Sequence, residues 1–514
     1  MGQQEGKPVM GMSKKRRVLS LSAVCLGGLF MIGCGSYDPP FVKAYKQGDF
    51  AKARTDFDTD GQHALAADKD DPAKHHIDKL VFLLEKGAIL RANGDLKGSG
   101  EAFDDADLLF KKFDAKAKAR VGKEVKAALS NLAEIDYEGY GYDHIMMHTY
   151  AAMNYIEIGD FTAARIELNR LADAQETIKE NKARQIDKLA KAQEEKPKGS
   201  SGLNANKSYD AMKNTNSPAG AKLAQAYGPW ADQSGEAVYT NAFAEYLQGV
   251  YYLHNGTAGE RDGKGLPALR NAAAMSSNPY ITQDLDLAAE MATGKATRPV
   301  TYIFFESGVA PRRDQLRIDI PIFIYNVAAT DTGVDYVGMA FPMLVPEAGG
   351  LGTLRVVAGT QTCDTHMLVD MDAVIGREFK DELPAVITRT LIASGTKAAI
   401  AYAANKATEK NAYANIGTRI FTTIAQALLA QADLRTWRTL PKTIAVARLD
   451  TPADGMLSLV SLAGVPLASV KVNPDSCNIV WVRGPANGVV CHTFALDPKA
   501  MPAAPSTQPV IAAN

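Results

Sequence analysis

Two histidines, His144 and His148, stand four residues apart in a segment with helical periodicity. Four residues is close to one helical turn, so both imidazoles fall on one face. Such a pair can begin a zinc site, but zinc needs at least one more ligand. Glu134, Asp136 and Asp143 are the nearest carboxylates in sequence, and the His-Glu-x-x-His pattern of zinc proteases is missing. The preferred reading is therefore two partly exposed helix histidines beside Met146 and Met147, with no metal and no cofactor. Arg312, Arg313 and Arg317 crowd a loop-to-strand segment. Together they could contact a carboxylate, a phosphate or an acidic glycan. A solvated strand entry neutralised by Asp314 and Asp319 accounts for them more simply. Cys477 and Cys491 flank an expected hairpin with its turn near residues 484 to 488. A midpoint at residue 484 would set the two thiols opposite one another for a disulfide, leaving Cys363 unpaired. A slip of one residue would put them on opposite faces, so both states stay open. Glu306 and Asp319 form a conceivable glycosidase pair whose separation nothing fixes. Gly349-Gly350-Leu351-Gly352 lacks the Lys-Ser/Thr of a phosphate loop, and there is no Gly-x-Ser-x-Gly elbow. His75-His76, His254 and His366 read as surface or structural residues, and Trp437 as a buried anchor between Arg435 and Arg438.

The elements that must carry these residues divide the chain near residue 296. From about 40 to 295 the composition favours helix. A junction recurs there. Tyr45 precedes Gly48-Asp49-Phe50, Ala53 and Phe57; Leu90 precedes Gly94-Asp95-Leu96, Ser99 and Phe103; Tyr155 precedes Gly159-Asp160-Phe161, Ala164 and Leu168. Tyr252 and Gly256 begin a fourth copy, which a Gly-rich insertion at 257 to 265 interrupts. Glycine suits the positive-φ position that ends one helix, aspartate caps the next, and a small residue lets the two helices approach. Gly87 and Gly249 each lie seven residues before a turn glycine, and Ala152 takes that place in the third copy. Residues 175 to 195 read as the charged end of a long helix, and 197 to 220 as a polar loop.

Beyond residue 296 the pattern turns to strands. They are expected at 300–305, 317–325, 336–341, 353–357, 365–369, 443–448, 456–462, 467–472, 479–482 and 488–494. Pro321 implies an edge strand or a bulge. A short helix is expected at 372–380, and two longer ones at 384–408 and 415–432. Residues 498 to 514 read as a disordered tail. The expected fold class is α+β multidomain, with an all-α helical-repeat domain over 34–295 and a β-rich domain with a helical hairpin over 296–497.

Bulk composition bounds the function. The chain has 514 residues, 46% hydrophobic and 22% charged, which suits a globular protein with sizeable cores. A net charge of −1 argues against a nucleic-acid partner, and five cysteines are too few for a disulfide scaffold. Lys14, Lys15, Arg16 and Arg17 precede an apolar run from Val18 to Ile32 that ends at Gly33-Cys34. The run has 15 residues, short of the roughly 20 that a spanning helix needs, and reads as a secretory signal over 1–33. Its removal takes away five basic side chains and one acidic one, so −1 becomes −5.

Met31-Ile32-Gly33-Cys34 resembles the lipobox of bacterial lipoproteins, with Met31 in place of the usual leucine. The resemblance implies cleavage before Cys34 and acylation of that cysteine. With Gly35-Ser36 following and no aspartate in second place, it also implies the outer membrane of a Gram-negative cell, facing the periplasm. The recurring junctions resemble tetratricopeptide repeats. Their spacings of 46 and 65 residues between turn glycines exclude a regular array with the period of roughly 34 residues. Glu306-Ser-Gly-Val-Ala-Pro-Arg-Arg313 and Ala432-Asp433-Leu-Arg435-Thr-Trp437 add a resemblance to an uncharacterised family of Gram-negative lipoproteins with a helical-repeat front and a β-rich back. That resemblance implies an architecture, a location and a cell-envelope role, with no established activity. The lipobox, the repeat junctions and the lack of a catalytic motif together favour a non-enzymatic, lipid-anchored envelope scaffold with a protein or peptide partner, in envelope assembly or regulation of peptidoglycan synthesis. The competing expectation is a peptidoglycan- or glycan-acting enzyme whose pocket joins Glu306, Arg313, Arg317 and Asp319. The sequence fixes no oligomeric state.

Overall fold

A computed structural model describes residues 38–61, 77–119, 136–194, 214–231, 240–295, 297–325, 332–383, 432–486 and 488–496, with the single residues 2, 65 and 386. Cys34, His75, His76, Glu134, nearly all of the expected helices at 384–408 and 415–432, and the tail from 498 lie outside them.

The first elements are helical hairpins. Helix α1 (Pro40–Lys46) leads to α2 (Phe50–Asp60), α3 (Lys79–Ala92) to α4 (Leu96–Ala119), and α5 (Gly141–Glu157) to α6 (Phe161–Glu194). All three turns share one geometry. Gly48, Gly94 and Gly159 have φ of 82°, 76° and 78°. The amide of the following aspartate reaches back five residues, to the carbonyls of Ala44, Leu90 and Tyr155. That is the Schellman arrangement, open to glycine because it carries no Cβ. Each aspartate then caps the next helix: the side chains of Asp49, Asp95 and Asp160 accept from the amides of Lys52, Gly98 and Ala163 at 2.9, 3.0 and 2.9 Å.

Close approach within a hairpin also has a local cause. A Cβ on Gly87 would lie 2.2 Å from the Phe103 ring, and the Ser99 hydroxyl donates to the Gly87 carbonyl at 2.7 Å. The fourth junction departs from the pattern. Helix α7 (Pro218–Ala231) is followed by α8 (Ala242–Asn255), but Gly256 has φ −78°. Thr257 and Glu260 form a capping box, and a π turn over Arg261–Gly265 feeds α9 (Leu266–Met275) and then α10 (Pro279–Ala292). No helix among the described residues is long and apolar enough to cross a membrane.

Three sheets follow among the described residues, and the architecture is mixed α+β. The central sheet has the order β11-β10-β1-β7-β6, from β1 (Val300–Ser307), β6 (His366–Asp370), β7 (Thr443–Asp450), β10 (Asn478–Gly484) and β11 (Val490–Ala495). β1 runs parallel to β10 and antiparallel to β7. A second sheet has the order β5-β4-β8-β9, from β4 (Leu354–Ala358), β5 (Gln361–Asp364), β8 (Met456–Ser461) and β9 (Pro466–Lys471). Among the described residues β2 (Arg312–Tyr325) and β3 (Thr332–Val345) pair only with each other, so Pro321, opposite Tyr336, has no second neighbour there. Residues 371–383 form α11.

β1 and β10 are buried along their whole length, as continuous apolar runs permit. Helices cover them: Phe243 meets Phe304 edge-on at 5.2 Å, and Tyr246 meets it at 6.2 Å. Leu84, Met146 and Leu247 from the helices and Ile303, Val446 and Val480 from the strands belong to one continuous hydrophobic core.

Candidate functional site

The three arginines do not converge. Alternation along β2 sends Arg312 and Arg313 to opposite faces. Arg313 is buried, its guanidinium 4.0 Å from the Tyr140 ring and 5.1 Å from Phe379, with Glu382 at 3.5 Å. Arg312 joins a group of ions in which Glu347 meets Lys46 at 2.6 Å, Arg312 at 3.3 Å and Arg438 at 3.3 Å. Arg317 and Asp319 are exposed. The solvated-entry reading thus holds for Arg317 but fails for Arg313, which lies in an aromatic cradle that sequence distance conceals.

Glu306 is not a partner of Asp319. It accepts from Trp481 Nε1 at 2.9 Å and Tyr150 Oη at 3.1 Å, with Arg483 Nε at 3.8 Å. Burial pushes its carboxyl above the usual range, and Arg483, Trp481, Arg91 and Tyr150 pull it back. The Gly349–Gly352 stretch connects β3 to β4, and Leu351 N donates to Ser307 Oγ at 2.8 Å.

The disulfide alternative is corrected by the register. Cys491 pairs with Val482, so the hairpin is centred near residues 486 and 487 rather than 484. Cys477 lies at the far end, where its carbonyl accepts from Leu496 N at 2.7 Å. Five positions of strand separate the thiols, roughly 17 Å, against the roughly 7 Å between Cα atoms that a disulfide tolerates. Cys363, Cys477 and Cys491 form no disulfide with one another. Burial pushes Cys363 up to about 11 and Cys491 up to about 12, away from nucleophilic use.

The histidine pair is brought together, and more deeply than expected. The rings of His144 and His148 lie 5.0 Å apart on one face of α5. His148 is buried, and only 14% of the His144 side chain is exposed. The His144 ring stacks on Phe110 at 4.3 Å. Burial, and then the neighbouring His148, push its pKa down to about 3, so the imidazole is neutral. Among the described residues the third donor is neither Asp136 nor Asp143. Asp143 accepts from Tyr137 Oη and Tyr140 N at 2.6 and 3.0 Å, and burial pushes it up to about 7.

Instead α4 supplies Asp107, whose Oδ1 lies 3.7 Å from His148 Nε2 and 4.0 Å from His144 Nε2. The three donor atoms all fall within 4.8 Å of one another. Asp107 Oδ2 takes Lys111 Nζ at 2.6 Å, while the buried Oδ1 receives no hydrogen bond. From α6, Glu167 Oε2 meets His148 Nδ1 at 2.7 Å, and Arg170 holds Glu167 Oε1 at 2.6 Å. One sequence signal marks these residues. Asp107 falls on the apolar stripe Phe103, Ala106 and Phe110, and Glu167 on the stripe Ala164, Leu168 and Leu171, all buried.

The remaining candidates are structural. His254 Nε2 meets Tyr302 Oη at 2.9 Å, and His366 is exposed against the Tyr280 ring. Trp437 is buried against Phe103 and Tyr150, and its Nε1 donates to Thr439 at 2.9 Å. Comparison with protein-family models, curated proteins and solved structures finds no match to this chain.

Proposed function

We propose that the protein is a lipid-anchored, non-enzymatic scaffold of the Gram-negative envelope. Acylated Cys34 would hold it to the outer membrane on the periplasmic side. Its helical half is read as irregular tetratricopeptide-like hairpins, a reading supported by the common turn geometry at Gly48, Gly94 and Gly159. Its partner would be an envelope protein or peptide, in envelope assembly or the regulation of peptidoglycan synthesis.

The observation that carries the scaffold reading is where the buried charges go. Glu85, Glu306, Asp284 and Arg483 are each engaged in bonds that join a helix to the strand half. In an enzyme, buried ionisable groups often gather in a cleft, whereas these four bridge packed elements. The glycan-enzyme alternative required Glu306, Arg313, Arg317 and Asp319 in one pocket, and their dispersal counts against it. Hairpin side chains meet β1 and β10, with Tyr150 donating to Glu306 and Arg91 lying over Trp481, so a partner is expected on an outer surface rather than in a tetratricopeptide groove. Tyr45 and Tyr252 are core residues in keeping with this.

The test is in-cell crosslinking and affinity recovery of the full chain, with Cys34→Ala alongside it. Loss of the membrane fraction in the variant, with one envelope protein recovered only by the anchored form, is the expected result. A variant that stays membrane-bound and is processed as before would overturn the anchor. Glycan fragments co-purifying in place of a protein would overturn the scaffold.

A further inference from the structure

The junction of α4, α5 and α6 holds two imidazoles, a carboxylate oxygen with no hydrogen bond, and a second carboxylate behind one imidazole. We propose that Asp107, His144 and His148 form a binding site for one divalent transition-metal ion of the zinc class. The donors are Asp107 Oδ1 and the two Nε2 atoms. Donors around a tetrahedral zinc ion stand roughly 3.4 Å apart, given bonds of about 2.1 Å. The carboxylate-to-imidazole separations of 3.7 and 4.0 Å are a few tenths of an ångström wider. Small rotations of the side chains close that gap.

The orphaned oxygen is the observation that points to a ligand. Asp107 is 4% exposed, and its Oδ1 faces both imidazoles without a hydrogen bond from either. A buried carboxylate oxygen in that state is costly, and a cation at the centre of the three donors removes the cost. Glu167 gives a second, independent argument. Its carboxylate, 2.7 Å from His148 Nδ1, favours the proton on that nitrogen and leaves the Nε2 lone pair facing the cluster. A carboxylate behind a ligating imidazole is the usual outer-shell device of metal sites.

The side chains around the cluster carry three negative charges and two positive ones, a net of −1. Asp104, Asp107 and Lys111 come from α4, Glu167 and Arg170 from α6, and α5 contributes the two histidines. Arg170 is held by Glu167 at 2.6 Å, with Asp104 at 3.9 Å. Lys111 binds the other oxygen of Asp107 and is more than half exposed, so it can swing into water as an ion enters. Two imidazoles and one carboxylate suit zinc, cobalt or nickel; magnesium and calcium call for oxygen ligands in larger number. Three protein ligands leave a fourth position for water. The ion would tie the second hairpin to the third.

The test uses the full chain in detergent, stripped with a chelator and titrated with Co2+ alone, then with Zn2+. The expected result is one equivalent of Co2+ with the visible bands of a low-coordinate nitrogen–oxygen site, displaced by one equivalent of Zn2+. Asp107→Asn preserves shape and removes the charge, and it should abolish stoichiometric uptake with an unchanged circular dichroism spectrum. His144→Gln, at the partly exposed ligand, repeats that test should His148→Gln fail to fold. Glu167→Gln should weaken binding about 10–100-fold without abolishing it. His366→Gln, remote and exposed, should bind as the unaltered chain does. No uptake by the stripped chain, or equal uptake by Asp107→Asn and His144→Gln, would overturn the site. Thiolate-to-cobalt bands would overturn it as well, since they would place the ion on a cysteine.

Discussion

Glu85 sits under the strand half, where Arg438 N and Thr439 Oγ1 both donate to it at 2.6 Å. Burial outweighs these bonds and the nearby Arg438 charge, and its pKa is pushed up to about 7. Asp143 behaves alike for the same cause. A carboxyl raised in this way binds its proton more tightly folded than unfolded. Its contribution is fully present below the unfolded value and is lost as pH rises through about 7. His144 carries the opposite sign. Depressed to about 3, it favours the fold above its unfolded value of 6.5, and that contribution is lost as pH falls toward 3. Glu85→Gln therefore separates the two trends, because the amide imitates the protonated acid: its oxygen accepts from Arg438 N, and its NH2 donates to Thr439 Oγ1 once that hydroxyl turns to accept. The expected outcome is a gain in unfolding free energy about 2 kcal/mol larger near pH 8 than near pH 5. Urea denaturation at the two pH values measures it. An unchanged pH slope in the variant would sink the buried-acid account.

At the scale of elements, what the sequence could disclose was what neighbours in the chain determine. The three Gly-Asp turns were legible because a positive-φ glycine and a capping aspartate act within six residues of one another. Most strands were legible from their apolar runs. β5 was not, since Gln361–Asp364 is short and polar and exists as the edge partner of β4. Asp107 was not, because it meets His148 only when α4 packs on α5, and the 36 residues between Asp107 and His144 hide that contact. The hairpin of β10 and β11 was found but its register was not, and the disulfide alternative fell with it. Packing inside a hairpin gives a prediction of sign. Gly87→Ala gains helix propensity, about 1 kcal/mol, yet its Cβ would meet Phe103 at 2.2 Å. Overpacking of that kind costs about 1–3 kcal/mol and should win. Gly100, inside α4, would place a Cβ no nearer than 3.7 Å to Tyr155 Oη, an ordinary contact, so Gly100→Ala should stabilise by about 0.5–1 kcal/mol. Thermal unfolding of both variants reads the two signs. Stabilisation by Gly87→Ala would mean that α3 and α4 are not in close contact there.

For the whole molecule, the question is whether the helical and strand halves are separable. Chains of this length ordinarily unfold by parts. Here the boundary is crossed by buried polar bonds rather than by a linker. Asp284 of α10 accepts from Tyr302 of β1 at 2.8 Å and pairs with Arg448 of β7 at 2.7 Å. Arg483 of β10 meets Tyr45 of α1 at 3.3 Å, and Glu378 of α11 accepts from the first two amides of α5 at 2.8 and 3.1 Å. Removing either half would leave these groups buried without partners or exposed with their apolar surroundings, and breaking one buried ion pair alone costs about 3–5 kcal/mol. The body from residue 38 to 496 should therefore unfold in a single transition. Trp437 and Trp481 report on the boundary, because Trp437 packs on Phe103 of α4 and Tyr150 of α5, and Arg91 of α3 lies 4.6 Å over the Trp481 ring. Tryptophan fluorescence and far-ultraviolet circular dichroism should give coincident denaturation curves, and a fragment ending at residue 295 should fail to hold native packing. Fluorescence changing well before the helical signal would show that the sheet leaves a helical array able to stand alone. The inner face of the hairpins would then be free for a partner, and the outer surface would lose its claim as the docking side.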